Sequence, residues 1–122
     1  MKYVIMMQVD PAVMENLTEE QQQRIGEGHG AFMSEIKESG EFVATQALAD
    51  PSRSRVVRSG SDGPEVTDGP FAESKEYLGG FYLVDVENEA RALELAKRIP
   101  DANVPGLALE VRPVLFADLG DG

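Results

Sequence analysis

Lys2-Tyr3-Val4-Ile5-Met6-Met7-Gln8-Val9 is the run on which the fold turns. Side chains alternate across a strand, so Tyr3, Ile5, Met7 and Val9 share one face while Val4 and Met6 share the other. Both faces are therefore apolar. A strand of this kind needs cover on two sides, unlike an ordinary amphipathic strand with one wet face.

The rest of the chain supplies cover for only one side. Thr18 is placed to cap a helix, with Gln21 three residues on completing a capping box and Glu19 and Glu20 at the positive end of the helix dipole. This helix is expected to run to about Ser39, with Gly40 as its stop. Ile25, His29, Phe32 and Ile36 recur at a 4-3-4 spacing and define its inward stripe. Gly26, Gly28 and Gly30 surround His29; they either permit close backbone approach or simply weaken the helix.

A strand is expected over residues 41–48. A hairpin is expected from 54–58 and 65–67, turning at Ser61-Asp62-Gly63-Pro64. Another strand follows over 80–86. Asn88 can cap a second helix that Pro100 ends after Arg98, with Ala90, Leu93 and Ala96 as its buried stripe. The last strand is expected over 109–115. The order strand, helix, strand, hairpin, strand, helix, strand is an α+β, ferredoxin-like β-α-β-β-α-β arrangement with an inserted hairpin. Two helices cover one sheet face. Pairing two copies, sheet against sheet, covers the other, so the expected state is a homodimer forming an α+β barrel.

The 122 residues suit one domain, expected over residues 1–116 with 117–122 as a flexible tail. The chain has no cysteine, hence neither disulfides nor thiolate metal sites. A formal net charge of −11 argues against nucleic acid and against anionic membranes as partners, because both need clustered Lys and Arg. Arg53, Arg55 and Arg58 are better suited to solvating a strand edge than to binding phosphate. With no secretory or membrane-spanning run, a cytoplasmic location is expected.

A polar cluster lies between the hairpin and the strong strand: Thr67-Asp68-Gly69-Pro70-Phe71-Ala72-Glu73-Ser74-Lys75-Glu76-Tyr77-Leu78-Gly79-Gly80-Phe81. Asp-Gly-Pro sets a rigid turn that carries Asp68, Glu73, Lys75 and Glu76 to a strand edge. Loops that hold polar groups on a stiff scaffold are common places for sites.

Asp68-Gly69-Pro70-Phe71, followed by Glu73, Lys75, Glu76 and Gly79-Gly80-Phe81, resembles the motif of the DGPF branch of the YCII-related proteins. The closing Glu110-Val111-Arg112-Pro113-Val114 resembles that branch's last strand. The resemblance spans nearly the whole chain and implies a dimeric ferredoxin-like α+β barrel. In the wider group a histidine on the first helix and an aspartate are proposed as an active-site pair. Some relatives act on chlorinated aromatic breakdown products, and some members of the branch are associated with extracytoplasmic-function sigma factors.

His29 stands at the group's histidine position, and Asp68 is the aspartate of the branch's own motif. The resemblance thus implies a His29–Asp68 pair, with His29 moving a proton and Asp68 orienting the ring. The residues alone equally allow a core histidine satisfied by a backbone carbonyl. Lys75 can pair with its neighbours Glu73 and Glu76 or bind a substrate carboxylate. Arg112 can clamp an acid through its planar fork or pair with Glu73 or Asp68. The expected function is proton-transfer chemistry, of isomerase, lyase or hydrolase type, on a small acidic molecule, with Lys75, Arg112 and Glu73 as substrate-binding residues. No cofactor or metal is expected. The other reading is a non-catalytic dimeric ligand-binding or regulatory module.

Overall fold

The computed structural model describes residues 1–72 and 75–120. Strand β1 (Lys2–Val9) leads into a short helix α1 (Pro11–Glu15), then the long helix α2 (Glu19–Glu38) and strand β2 (Phe42–Ala47). The hairpin strands β3 (Arg55–Gly60) and β4 (Gly63–Asp68) follow, then β5 (Tyr77–Asp85), α3 (Glu89–Arg98), a 3-10 turn (Pro100–Asn103) and β6 (Ala108–Pro113). The order in the main antiparallel sheet is β2-β5-β1-β6, with β1 and β5 central and β2 and β6 at the edges, as in a ferredoxin-like fold. No helix is long and apolar enough to cross a membrane among the described residues.

Local chemistry fixes the helix starts. Thr18 accepts the amide of Gln21 at 3.1 Å, and the Gln21 side chain accepts the amide of Thr18 at 2.8 Å, a reciprocal capping box. Asn88 accepts the amide of Arg91 at 3.0 Å and starts α3. α1 is an addition to the elements expected. Asp10 caps it through the amide of Ala12, and Pro11 fills the first helical position, where no amide is needed. Gly40 closes α2 with a φ of 81°, the left-handed shape that suits a C-terminal stop.

The core lies between the helices and one sheet face. Tyr3, Ile5, Tyr82 and Val84 meet Phe32 and Ile36 of α2 and Ala92, Leu95 and Ala96 of α3. α2 packs in the register expected, with Phe32 and Ile36 buried. α3 does not. Its buried stripe is Ala92, Leu95 and Ala96, continued by Ile99, while Ala90 is exposed and Leu93 is 44% exposed. Leu93 and Leu95 are both apolar and two residues apart, and only contact with the sheet selects Leu95. Arg91 holds this helix to the start of β2, donating Nε and Nη2 to the two oxygens of Glu41 at 2.8 Å each. That guanidinium is the first cause of the lowered Glu41 pKa, with Ser39 assisting and burial opposing.

The opposite sheet face carries Val4 paired with Leu83 and Met6 paired with Phe81, all half-buried, with no helix over them among the described residues. The hairpin forms a separate two-stranded sheet. It turns at Ser61-Asp62, between the paired Gly60 and Gly63, so Gly63 and Pro64 belong to β4 and not to the turn.

Candidate functional site

The stripe that buries Phe32 and Ile36 aims His29 at the sheet, and the ring meets two side chains there. Nδ1 lies 2.6 Å from the hydroxyl of Tyr82 on β5, and Nε2 lies 2.9 Å from Oδ1 of Asp101 in the 3-10 turn. The ring planes of His29 and Tyr82 are nearly parallel, with an interplanar angle of 13°, and Phe32 packs edge-on to Tyr82. The His29 side chain keeps 21% exposure, whereas Asp101 is buried and Tyr82 almost completely so.

The electrostatics assign the protons. Burial first, and the Asp101 carboxylate second, push the Tyr82 phenol up to about 12, so it stays protonated across the neutral range. A neutral ring then carries its proton on Nε2, donates it to Asp101, and accepts the Tyr82 hydroxyl at Nδ1. A protonated ring keeps both contacts, because Nδ1–H can donate to the phenol oxygen once the hydroxyl hydrogen turns away. The triad therefore accommodates both charge states of the imidazole.

Gly28 is what lets the third member arrive. A Cβ built on Gly28 would stand 2.6 Å from Cγ of Pro100, so the missing side chain seats the proline whose successor is Asp101. Nothing stands within 4 Å of a Cβ at Gly26 or Gly30. Of the two readings of this glycine cluster, close approach holds at Gly28 and lowered propensity at the other two.

A groove of about 410 Å³ runs along the two elements that carry His29 and Asp101. Gln21, Arg24 and Ile25 of α2 line one side, and Pro100, Asn103 and Val104 the other. Ile25 lies one turn before His29, and Pro100 immediately precedes Asp101. Arg24 is paired at 2.5 Å with exposed Glu20 and remains mostly solvated.

The other expected site residues lie elsewhere. Asp68 does not meet His29. It ends β4 opposite Arg55 in the hairpin register and takes the Arg55 guanidinium, and both side chains are exposed. The hairpin leaves the main sheet and takes Asp68 with it. Lys75 is exposed, its Nζ 3.7 Å from Asp10 Oδ2, so its partner is the α1 cap. Arg112 pairs with Glu110 at 2.5 Å rather than with Asp68, and its register with Val4 puts it on the helix-free sheet face. Glu73 lies outside the described residues. Asp101 is the site residue that sequence reasoning did not reach, and Tyr82 reads there as a strand aromatic better suited to packing than to lining a pocket. Asp101 sits just past Pro100, which reads only as a helix stop. Among the described residues no three carboxylate or imidazole groups converge as a metal site would require.

A second, larger hollow of about 700 Å³ lies beside the Asp-Gly-Pro turn, lined by apolar Leu48, Phe71, Tyr77 and Leu78 and by polar Asp50, Ser52 and Glu76.

Residues 1–116 match the YCII-related domain family. The chain belongs to that family. It is also similar to an uncharacterised protein of Rhizobium meliloti (strain 1021), 30% identical over 121 residues, 99% of this chain and 98% of the relative. The YCII-related chain and this relative thus align over nearly the whole length of both.

Proposed function

We propose that this YCII-related protein, a member of the DGPF branch, works as a homodimer and catalyses proton transfer on a small organic acid. His29 carries the proton, and the observation behind this role is its placement between Asp101 and Tyr82 at 2.9 and 2.6 Å. Asp101 orients the ring and stabilises its charged form. Tyr82 holds Nδ1 until the substrate displaces it, and its phenol stays a proton donor at neutral pH. Arg24 supplies the cation for a carboxylate in the adjoining groove. The homodimer reading is supported by the half-buried apolar side chains Val4, Met6, Phe81 and Leu83 on the helix-free face.

One observation favours the second reading, a ligand-binding or regulatory module without turnover, such as one linked to sigma-factor control. Both ring nitrogens are already engaged, which is how a structural histidine is satisfied.

Solvent exchange separates the two. Small carboxylic acids with an activated C–H bond, incubated with the protein in D2O, are followed by proton NMR. Deuterium incorporation that His29→Gln abolishes supports the enzyme. Ligand-induced shifts without incorporation support the binding module. Sedimentation at micromolar concentration tests the dimer, and a folded monomer there rejects it.

A further inference from the structure

The groove beside His29 does not end at Val104. A second hollow of about 420 Å³ shares Leu17, Gln21, Val104 and Pro105 with it and continues to Ala12 and Val13 of α1. The two are halves of one open trough, with Ile25 and Pro100 toward His29 and α1 at the far end. The chain after the 3-10 turn closes on α1 at Gly106, where φ is 91° and a Cβ would run into Cγ2 of Val13.

The lining is graded along its length. Toward α1 it is mainly apolar, with Asn16 and Gln21 as its polar members. Arg24 belongs to the His29 half, and among the described residues lining either half it is the one that carries charge. The chain as a whole carries −11, so a trough lined by no carboxylate and ending on a guanidinium reverses the field locally. Glu20 holds that guanidinium only through an exposed pair, which a ligand carboxylate can replace at little cost.

We infer that the trough binds an amphipathic monocarboxylic acid, its carboxylate on Arg24 and its apolar chain laid past Leu17 and Val104 toward α1. This rests on the reading of Arg24 proposed above, and it narrows the acid from any small one to one with a chain. Each half already lies in the range of about 300–1,000 Å³ that holds a small molecule, so the two together leave room that a short acid does not fill. The far carboxylate of a diacid would meet Ala12 and Val13 and no cation, so a diacid gains nothing from its second end. α2 walls the trough on the helix side of the sheet, so pairing through the helix-free face leaves it open.

Straight-chain acids from butanoate to decanoate, octanol and the diacid suberate are titrated into the intact protein below their micelle concentrations. Dissociation constants are read from the methyl resonances of Val13, Leu17 and Val104. Full burial of a methylene is worth about fourfold in affinity, and an open trough gives about half that free energy, so each added methylene is expected to tighten binding about twofold. Arg24→Gln is expected to weaken every acid about threefold and octanol not at all. Ala12→Glu changes an exposed side chain in the first turn of α1, where a carboxylate suits the helix, and is expected to remove the gain from the longest chains. Suberate is expected to bind no tighter than butanoate. Equal constants along the series, with the Arg24→Gln loss retained, overturn the chain site and leave the proton-transfer reading standing. Octanol bound as tightly as octanoate overturns the carboxylate anchor and with it the role of Arg24 in that reading. Suberate bound as tightly as octanoate overturns the apolar far end.

Discussion

Nδ1 of His29 lies 2.6 Å from the Tyr82 hydroxyl while Nε2 faces Asp101, so a single imidazole joins α2, β5 and the turn after α3. These residues are 53 and 72 positions away from His29 in the chain. The joint ties three elements together, and substitution separates that structural role from the proton-transfer role proposed above.

Asp101→Ala removes the acceptor of a half-buried N–H and is expected to destabilise the fold by about 1–3 kcal/mol. Asp68→Ala touches only an exposed ion pair and is expected to stay within about 1 kcal/mol of wild type. Denaturant midpoints of the two variants check this. In the long-range nitrogen–proton spectrum, Asp101→Ala is also expected to release the Nε2–H tautomer, and Asp68→Ala to leave it unchanged. The reverse ranking would restore Asp68 as the partner of His29.

Tyr82 gives the fold an alkaline limit. Its folded pKa, about 12, lies above the ordinary value of 10, so between these values the unfolded state releases a proton that the folded state keeps. The corresponding stability is fully present below pH 10 and is lost as pH rises through 12; a two-unit shift is worth about 2–3 kcal/mol. Tyr82→Phe is expected to flatten this loss while costing about 1–2 kcal/mol at pH 7, because Nδ1 loses its donor. Unfolding curves from pH 8 to 12 on both proteins make the comparison.

The glycines of α2 should respond oppositely to alanine. Gly26→Ala and Gly30→Ala meet open space and are expected to stabilise by about 0.5–1 kcal/mol each. Gly28→Ala drives a Cβ into Pro100 and is expected to forfeit that gain, with a net loss of about 1 kcal/mol. It also moves Asp101, so the His29 ring resonances shift in this variant and not in the other two.

Leu95 and Leu93 separate the two possible faces of α3. Leu95→Ala opens a cavity at a fully buried position and is expected to cost about 2–5 kcal/mol. Leu93→Ala is expected to cost under about 1 kcal/mol, since much of that side chain is already in water. Comparable midpoints for the two would return α3 to the stripe of Ala90, Leu93 and Ala96.

Neighbouring residues were enough to specify the main strands, the two long helices and the inward face of α2, though not α1. Period-two apolarity gave residues 2–9 as a strand with two apolar faces, and the run proved to be β1. Thr18 with Gln21, and Asn88, marked the two main helix starts, because capping is chemistry between residues three apart. The 4-3-4 spacing put His29 on the inward face of α2. All of this is local, and local patterns are written in adjacent residues.

The remaining features depended on contacts between residues far apart in the chain. The helix phase of α3 depended on which leucine the sheet would accept, a matter of contact and not of spacing. Asp68 was drawn into the hairpin by Arg55, which stands opposite it only once β3 and β4 pair. Asp101 came to His29 because Pro100 seats against Gly28, a contact between residues 72 positions apart. Tyr82 came because β5 lies between β1 and β2 and turns that hydroxyl toward α2. A hydrogen bond needs a donor and an acceptor within about 3 Å, and for His29 only the packed fold brings them that close.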